Sequence, residues 1–458
     1  MKTNHYLGAL LIFVFTVVLA VGCKKENGFL DTKPNQALAV PTSVSDLQLL
    51  INNEAIFNRF YPALGEASTD DINLDASIWL SDLATDKNAY IWAKDVYAAG
   101  ANVQDWSFPY QMVYYANTVL STLPNIAVST NEQSAANTVK GSAYFFRAVA
   151  FFNLLQVFSM PYDTVTSAQD LGIPLRLTTD LNAKVPRSTV DQCYTQIVAD
   201  LIAAEPLLQD QPTSITKPSK AAVYGLLSRI YLSMDNYTQS LNYASKFLTL
   251  HSQLQDFNKL SQTAFPVYPN YSPEEVFHAG LLGYKSIGFN VAVDSNLYKL
   301  YNDPNDLRLA IYFRKLSGRI EFRSQFDRKS NASSTISTDE IYLTKAECEA
   351  RLNNTSTALA DLNTLLVTRW KTGTYRPLTA NSAADALKLI LTERRKELVL
   401  TSLRWLDLRR LNKDPRFAIT LYRNLSGVTY SLPPNDPRYA LPIPNNEIQV
   451  NPIPQNSR

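Results

Sequence analysis

Three acidic residues in one polar segment, Asp70, Asp71 and Asp75, come nearest in this sequence to catalytic chemistry. Carboxylates at such close spacing can bind a hard cation, or act as general acid and general base. The same residues also suit a polar loop that caps its own backbone, and we favour this second interpretation. The segment therefore predicts no catalytic pair.

Other catalytic signatures are missing from the sequence. Apart from His5, near the amino terminus, the histidines are His251 and His278, and neither has neighbours at metal-ligand spacing. The motifs G-x-S-x-G, H-E-x-x-H and the phosphate loop do not occur. We predict that the protein is not an enzyme and uses neither a metal nor a cofactor.

Aromatic residues within polar segments point to binding instead. Sugars present flat C–H faces that stack on aromatic rings, and hydroxyl groups that need hydrogen bonds from side chains. Segments 70–92 and 266–289 combine rings with Asn, Asp, Lys and Ser, so we predict a shallow ligand-binding face formed by both. The predicted ligand-binding rings are Trp79, Tyr90, Tyr268, Tyr271, Tyr284 and Phe289.

The elements that must hold these segments are helical. Residues 217–250 read as two helices, the first carrying apolar residues at four-residue spacing from Ala222 to Met234. Gly225 and Ser228 are small enough to let a neighbouring helix approach closely. Asp235 and Asn236 favour the turn between the helices. The spacing is typical of a tetratricopeptide repeat.

A second copy of this hairpin supports a repeat architecture. A shift of 118 residues places Asn236 on Asn354 and Leu241 on Leu359, so residues 339–366 form the copy. Residues 140–158 read as a further helix of the first type. Because one hairpin cannot bury its apolar face alone, we predict a mainly α, tetratricopeptide-like scaffold.

The amino-terminal residues are typical of a targeting signal. A basic Lys2 precedes an apolar run that is short for a membrane span, so residues 1–22 are predicted to be a secretory signal. The run ends L-A-V-G-C, which resembles a lipoprotein signal with Cys23 as the lipidated residue. An ordinary signal peptide with an incidental cysteine is the alternative.

The net charge, the cysteines and a cluster of charged residues each support a prediction. A net charge of +2 gives no electrostatic reason to bind nucleic acid. Cys193 and Cys348 lie in helical patterns, and two buried thiols are favoured over one disulfide. Charged residues between positions 393 and 410 are predicted to form a structural ion-pair network; they are Glu393, Arg394, Arg395, Glu397, Arg404, Asp407, Arg409 and Arg410.

Several long motifs together resemble one family. The stretch ERRKELVLTSLRWLDLRRL, followed by YALPIPNNEIQVNP, is similar to the closing signature of the SusD/RagB outer-membrane nutrient-binding lipoproteins. The segment FLDTKP after Cys23 resembles the start of that family, and residues 137–162 and 339–363 resemble its early and late repeats. The resemblance spans nearly the whole chain after Cys23, in the expected order.

The resemblance implies a SusD-like fold with about four helical hairpins and a loop-rich α+β half. Residues 23–458 would form one domain, with repeats at about 106–160, 188–250, 339–370 and 383–411. It implies a lipid-anchored protein at the outside of a Gram-negative outer membrane. Such a protein binds an oligosaccharide or peptide and delivers it, as a lid, to a SusC-like TonB-dependent transporter.

The resemblance also bears on individual rings. Trp79 lies about where the starch-binding member carries a stacking tryptophan, and Tyr284 and Phe289 lie in a region where that member supplies ring contacts. Trp79 and Tyr284 could equally be core residues, and the core is favoured for Trp92 and Trp106. Two other classes stay open, a repeat scaffold that binds only protein and a lipid-anchored hydrolase.

Overall fold

Helical hairpins build most of the chain. A computed structural model describes residues 41–268, 271–288, 292–323 and 332–458, of which Val44–Arg458 form one compact unit. The predicted signal peptide, Cys23 and Phe289 lie outside the described residues. The helices are α1 (Val44–Ile51), α2 (Glu54–Phe57), α3 (Leu64–Ala67), α4 (Ala76–Leu80), α5 (Ala84–Tyr90), α6 (Gln104–Thr122), α7 (Gln133–Phe158), α8 (Val190–Ala204), α9 (Lys220–Ser233), α10 (Tyr237–Leu250), α11 (Ser295–Tyr298), α12 (Arg308–Tyr312), α13 (Thr338–Arg351), α14 (Thr355–Leu366), α15 (Ala383–Glu397), α16 (Arg404–Leu411) and α17 (Asn445–Val450).

Short antiparallel strands accompany the helices. The strands are β1 (Ile72–Asn73), β2 (Leu171–Pro174), β3 (Arg187–Thr189), β4 (Glu275–Gly280), β5 (Ala292–Val293), β6 (Phe313–Leu316), β7 (Arg319–Phe322), β8 (Ser333–Ser337), β9 (Leu421–Leu425) and β10 (Val428–Leu432). A four-stranded sheet has the order β1-β5-β7-β6, and the pairs β2–β3, β4–β8 and β9–β10 stand apart from it. The fold is therefore mainly α with a smaller mixed part, as the sequence predicts.

The two predicted copies of the hairpin turn in the same way. Between α9 and α10, Asp235 has a φ of 57°, and the side chain of Asn236 accepts a hydrogen bond from the Gln239 backbone N–H at 3.1 Å. Between α13 and α14, Asn353 has a φ of 66° and Asn354 again precedes the second helix. Asp and Asn tolerate this left-handed conformation better than most residues. The predicted 118-residue repeat is confirmed.

Small residues on α9 permit close packing, although a strand is the nearest neighbour. A Cβ atom added to Gly225 would lie 2.3 Å from the Ile336 Cγ2 atom in β8. The hydroxyl of Ser228 donates to the Ser240 carbonyl oxygen on α10 at 3.1 Å. The predicted close approach of a neighbouring helix is confirmed, because the same Cβ atom would lie 3.2 Å from the Phe247 side chain on α10, and β8 adds a second close contact.

Successive helices pack side by side into the scaffold. Helix α7 packs against α6 and α8, α10 packs against α9 and α13, and α13 packs against α14 and α15. One hydrophobic core lies among α6 to α10, and a smaller one joins α13, α14 and α15. A third core lies beneath the four-stranded sheet, in the loop-rich half. Both predicted parts of the fold therefore have a core.

Seven of the eight residues predicted to form an ion-pair network do so, whereas Arg409 donates to the backbone carbonyl oxygens of Leu155 and Ser159. Arg394 binds Asp407 at 2.8 Å, and Arg410 binds Asp407 at 2.9 Å and Glu347 at 2.6 Å. Arg404 binds Asp70 and not Asp407, which lies three residues further along the same helix. The network therefore connects segments that are distant in sequence as well as residues of one helix.

Segment 70–92, whose sequence shows no regular periodicity, contains β1, α4 and α5. The run 383–411, whose sequence is compatible with one long helix or two in line, divides into α15 and α16, because Leu400 and Ser402 adopt positive φ values between them. Cys193 and Cys348 are buried free thiols, which confirms the favoured alternative. Among the described residues, no helix has the length and apolar character needed to cross a membrane.

Candidate ligand-binding surface

The two segments predicted to form a binding face are in contact. The carboxylate of Asp86 on α5 accepts hydrogen bonds from the backbone N–H of Ser286, at 3.1 Å, and from the Ser286 hydroxyl. The ammonium group of Lys285 donates to the Ser81 carbonyl oxygen at 3.0 Å. Helices α4 and α5 and the turn at 284–288 therefore form one continuous piece of surface, which we call the α4–α5 face.

A buried carboxyl group holds this junction. Burial, with a hydrogen bond that the protonated Asp86 carboxyl donates to Asp82, raises the pKa of Asp86 to about 7. Because the folded protein retains this proton up to about pH 7 while the unfolded chain releases it near pH 4, stability from this group falls as the pH rises between those values. The two hydrogen bonds from Ser286 favour the ionised carboxylate, but burial outweighs them.

Trp79 lies half-buried on the α4–α5 face. Its indole N–H donates to the Lys87 carbonyl oxygen at 2.8 Å, which fixes the orientation of the ring. The ring centroid lies 6.4 Å from that of Tyr430 on β10, at an interplanar angle of 50°. Leu80 and Leu83 next to it are exposed, Leu83 by 72%. The face therefore combines an oriented ring with apolar side chains open to solvent.

Tyr284 is anchored by its hydroxyl. The O–H donates to one oxygen of Asp105, while the other oxygen accepts the backbone N–H groups of Ala63 and Leu64 at 2.6 and 2.9 Å. Burial raises the pKa of Asp105. The hydroxyl of Tyr284 is therefore committed within the protein, and its half-buried ring is what remains for a ligand.

The predicted ligand contacts of Tyr90 and Tyr268 are corrected, because both rings belong to the core. They are exposed by only 1% and 2%, respectively. The hydroxyl of Tyr90 accepts a hydrogen bond from the Leu74 backbone N–H at 2.9 Å. Tyr271, by contrast, is 50% exposed and lies 5.0 Å from the His278 ring. Trp92 and Trp106 are buried, as predicted.

Arg423, which is distant in sequence from segment 70–92, supports the α4–α5 face, and the sequence did not predict this role. The guanidinium carbon of Arg423 on β9 lies 4.0 Å from the Tyr90 ring centroid and 5.0 Å from that of Trp92. Arg423 also donates to the carbonyl oxygens of Thr69, Ile72 and Tyr90. Alternation in L-Y-R-N-L predicts a strand, but nothing local shows that its arginine points inward.

The acidic residues considered for catalysis are held by arginines. Both oxygens of Asp70 bind Arg404, at 2.7 and 2.9 Å, and Asp71 binds Arg395 at 3.1 Å. Burial alone would raise the pKa of Asp70, but the two guanidinium groups outweigh it and the pKa is lowered. Asp75 is half-exposed and pairs with Arg319 at 2.8 Å. The geometry favours a structural role for the three carboxylates.

A small cavity lies inside the scaffold, beside α3, α7 and α16. Glu66, Asn153 and Trp405 line it, and each has a buried polar atom without a hydrogen-bond partner among the described residues. Burial raises the pKa of Glu66 to about 8, so its carboxyl group is mostly protonated at neutral pH. The sequence signalled none of these three as special.

Two family models match the sequence. The model described as "Starch-binding associating with outer membrane" matches residues 28–232, and the model of the SusD family matches residues 325–456. A SusD-like protein P2 from Formosa agariphila is 26% identical over an alignment of 373 residues that covers 67% of this chain and 71% of that protein.

Solved structures share the fold. A SusD superfamily protein from Bacteroides thetaiotaomicron aligns with a TM-score of 0.73 at 23% identity, covering 91% of this chain and 100% of that one. A laminarin-binding SusD-like protein aligns with a TM-score of 0.65 at 17% identity, covering 91% and 99%. At such identities, the likeness concerns the architecture alone.

Proposed function

The chain belongs to the SusD/RagB family, and on that premise we propose that it binds glycan, or alternatively peptide, oligomers at the cell surface and passes them to a transporter. The family match over both halves of the chain carries the proposal. The α4–α5 face supports it, because Trp79 and Tyr284 lie there beside polar groups. The protein would act by binding alone, which agrees with the engagement of Asp70 and Asp71 by arginines.

Substitution of Trp79 by alanine tests the site. We expect binding to weaken about ten-fold, because a stacking ring contributes ~1–2 kcal/mol. Tyr284→Ala should act in the same direction. Calorimetric titration with laminarin and starch oligosaccharides and with a peptide panel measures the effect; laminarin is included because a structural relative binds it.

Two matched variants show whether the loss concerns binding or folding. Val165→Ala removes an exposed apolar side chain outside the α4–α5 face and should leave both properties nearly unchanged. Trp92→Ala removes a core ring and should cost ~3–5 kcal/mol of stability. If Trp79→Ala and Tyr284→Ala lowered stability as much as Trp92→Ala without changing affinity, the site would be misplaced.

A lipid anchor on Cys23 would hold the protein at the outer membrane. Each buried methylene of an acyl chain contributes about 0.8 kcal/mol, so several chains anchor firmly. We expect Cys23→Ala to move the protein from the membrane fraction to the soluble fraction. Cys193→Ala is the control, because that thiol is buried in the scaffold. Full membrane retention of Cys23→Ala after a carbonate wash would refute the anchor.

A SusC-like TonB-dependent transporter is the proposed partner. Exposed Leu80 and Leu83 support a protein contact, since apolar side chains grouped at a surface mark interfaces. A lid that reseals a transporter should bury more than about 2,000 Å². Purification in mild detergent at native expression should recover a much larger outer-membrane protein with this chain. Recovery of this chain alone would contradict the partnership.

A further inference from the structure

Phe60 is an exposed aromatic residue in a backbone conformation that ordinarily belongs to glycine. Its φ is 64°, and its side chain is 36% exposed. A bulky side chain in this region is a true outlier, because its Cβ crowds the neighbouring backbone. Strained residues persist where the surroundings impose them, and they cluster at ligand-binding sites. The exposed ring therefore calls for a functional reason.

The backbone on both sides of Phe60 is pinned. The side-chain amide of Asn58 donates to the carbonyl oxygens of Thr216 and His278, at 3.0 Å each. Tyr61 donates its backbone N–H to the Gly280 carbonyl oxygen at 3.0 Å, and the Gly280 N–H donates to the Asn58 carbonyl oxygen at 2.8 Å. These contacts with the end of β4 hold the conformation of Phe60.

The left-handed turn brings consecutive side chains together. In an extended chain, neighbouring residues point to opposite sides. Here the guanidinium carbon of Arg59 lies 5.1 Å from the centroid of the Phe60 ring. The Phe60 ring in turn stacks on Phe108 of α6, with centroids 5.1 Å apart at 26°. The result is a cation supported by a pair of rings at the surface.

Arg59 has no anionic partner among the described residues. It is exposed, and it makes no ion pair or hydrogen bond with any other residue that the structure describes. The inward-facing Arg308 and Arg369, by contrast, each bind at least two carboxylates. A guanidinium group stacked on a ring keeps its N–H edge open, and that edge matches a carboxylate in a two-point contact.

We propose that Arg59, Phe60 and Phe108 form a subsite for a carboxylate-bearing sugar, that is, a uronic acid unit of an oligosaccharide. The carboxylate binds the guanidinium group, and the exposed part of the Phe60 ring contacts the C–H face of the sugar. The subsite adjoins the α4–α5 face, because Phe108 lies one turn along α6 from Asp105, which anchors Tyr284. The inference rests on the proposed glycan binding and adds the charge of the ligand.

Matched acidic and neutral ligands test the subsite. The probes are oligomers of galacturonic, guluronic and mannuronic acid, each paired with its methyl ester, which keeps the rings and removes the charge. At least one acid should bind the native protein about ten-fold more tightly than its ester, and this preference should shrink as salt is added. Arg59→Gln should abolish the preference.

Phe60→Gly separates binding from folding. Glycine adopts the left-handed conformation without strain, which offsets the lost contact with Phe108, so the unfolding midpoint in urea should change little. Binding of the acid should nevertheless weaken about ten-fold, because the support of the guanidinium group is lost. Lys94→Gln, which removes an exposed cation elsewhere on the chain, should leave the preference unchanged.

The outcomes distinguish the subsite from the general function. Equal affinity for acid and ester, no binding of any acid, or a preference that survives Arg59→Gln would overturn the subsite. If a neutral oligosaccharide still bound through Trp79, the proposed function would stand without the subsite. Acid binding that depends on Arg59 and Phe60 but ignores Trp79 would support the subsite and reject the α4–α5 face.

Discussion

Replacement of Arg308 by methionine is expected to lower the free energy of unfolding by about 3–5 kcal/mol, the usual cost of breaking a buried ion pair from one side. Arg308 is fully buried and binds Asp306 at 2.7 Å, Glu393 at 2.6 Å and Glu397 at 2.9 Å. Methionine fills a similar volume but leaves these buried carboxylates with less positive charge. The substitution should therefore destabilise the fold strongly.

The loss should depend on pH. Burial would raise the pKa of Glu397, but Arg369 and Arg308 lower it below its ordinary value. The pKa of Asp306 is likewise lowered, because Arg308 and Lys396 outweigh its burial. A carboxylate with a lowered pKa contributes stability above its unfolded pKa, near 4, and loses it as the pH falls through the folded pKa. The difference between the native protein and Arg308→Met should thus be full at pH 7 and shrink below about pH 4.

Urea unfolding followed by circular dichroism measures this prediction. Arg416→Met is the matched control, because Arg416 pairs with Asp414 at 2.7 Å while its side chain is 59% exposed. Exposed pairs contribute little, so the control should unfold almost like the native protein. Equal losses for the two variants would show that the buried network is not what stabilises this region.

Replacement of Arg423 by methionine is expected to destabilise the protein by about 3 kcal/mol and to weaken ligand binding as well. The substitution removes the donor to three carbonyl oxygens of segment 69–90, and each buried polar group left unpaired costs roughly 1–3 kcal/mol. It also removes the cation from the faces of Tyr90 and Trp92. The segment that carries Trp79 would then lose its support from β9.

The neighbouring residue provides the control. Tyr422 points outward on the same strand, so Tyr422→Ala should change stability little. Urea unfolding and calorimetric titration on the same samples separate the two effects of Arg423→Met. A variant with native stability and native affinity would show that segment 69–90 holds its shape without Arg423.

Periodic features of the fold could be read from the sequence. Apolar residues at helical spacing identified α7, α9 and α13, since one face of a helix must be buried wherever the helix lies. The turn at Asp235 and its copy at Asn353 were predicted by residue type, because few side chains accept a positive φ. The cap of α8 is equally local, since the Thr189 side chain accepts the Gln192 backbone N–H at 3.2 Å. These features depend on residues within a few positions of each other.

The sequence did not predict which aromatic rings of segment 70–92 are exposed and which are buried. Trp79 and Tyr90 lie in the same polar segment, yet the first is half-buried and the second is buried. The difference arises from Arg423, which lies more than 300 residues away and covers Tyr90. Phe60, Phe108 and Tyr430 went unnoticed for the same reason, since nothing periodic marks a ring whose neighbours come from other elements.

Periodicity and motifs in the sequence specify the helical scaffold, its internal repeat and the family. Which rings and charges face solvent depends on tertiary packing. Tyr284 binds Asp105 across 179 positions. Arg308 binds three carboxylates, whereas Arg59 binds none among the described residues. A helix is specified by contacts within one turn, whereas exposure in a non-periodic segment depends on which distant segment packs over it.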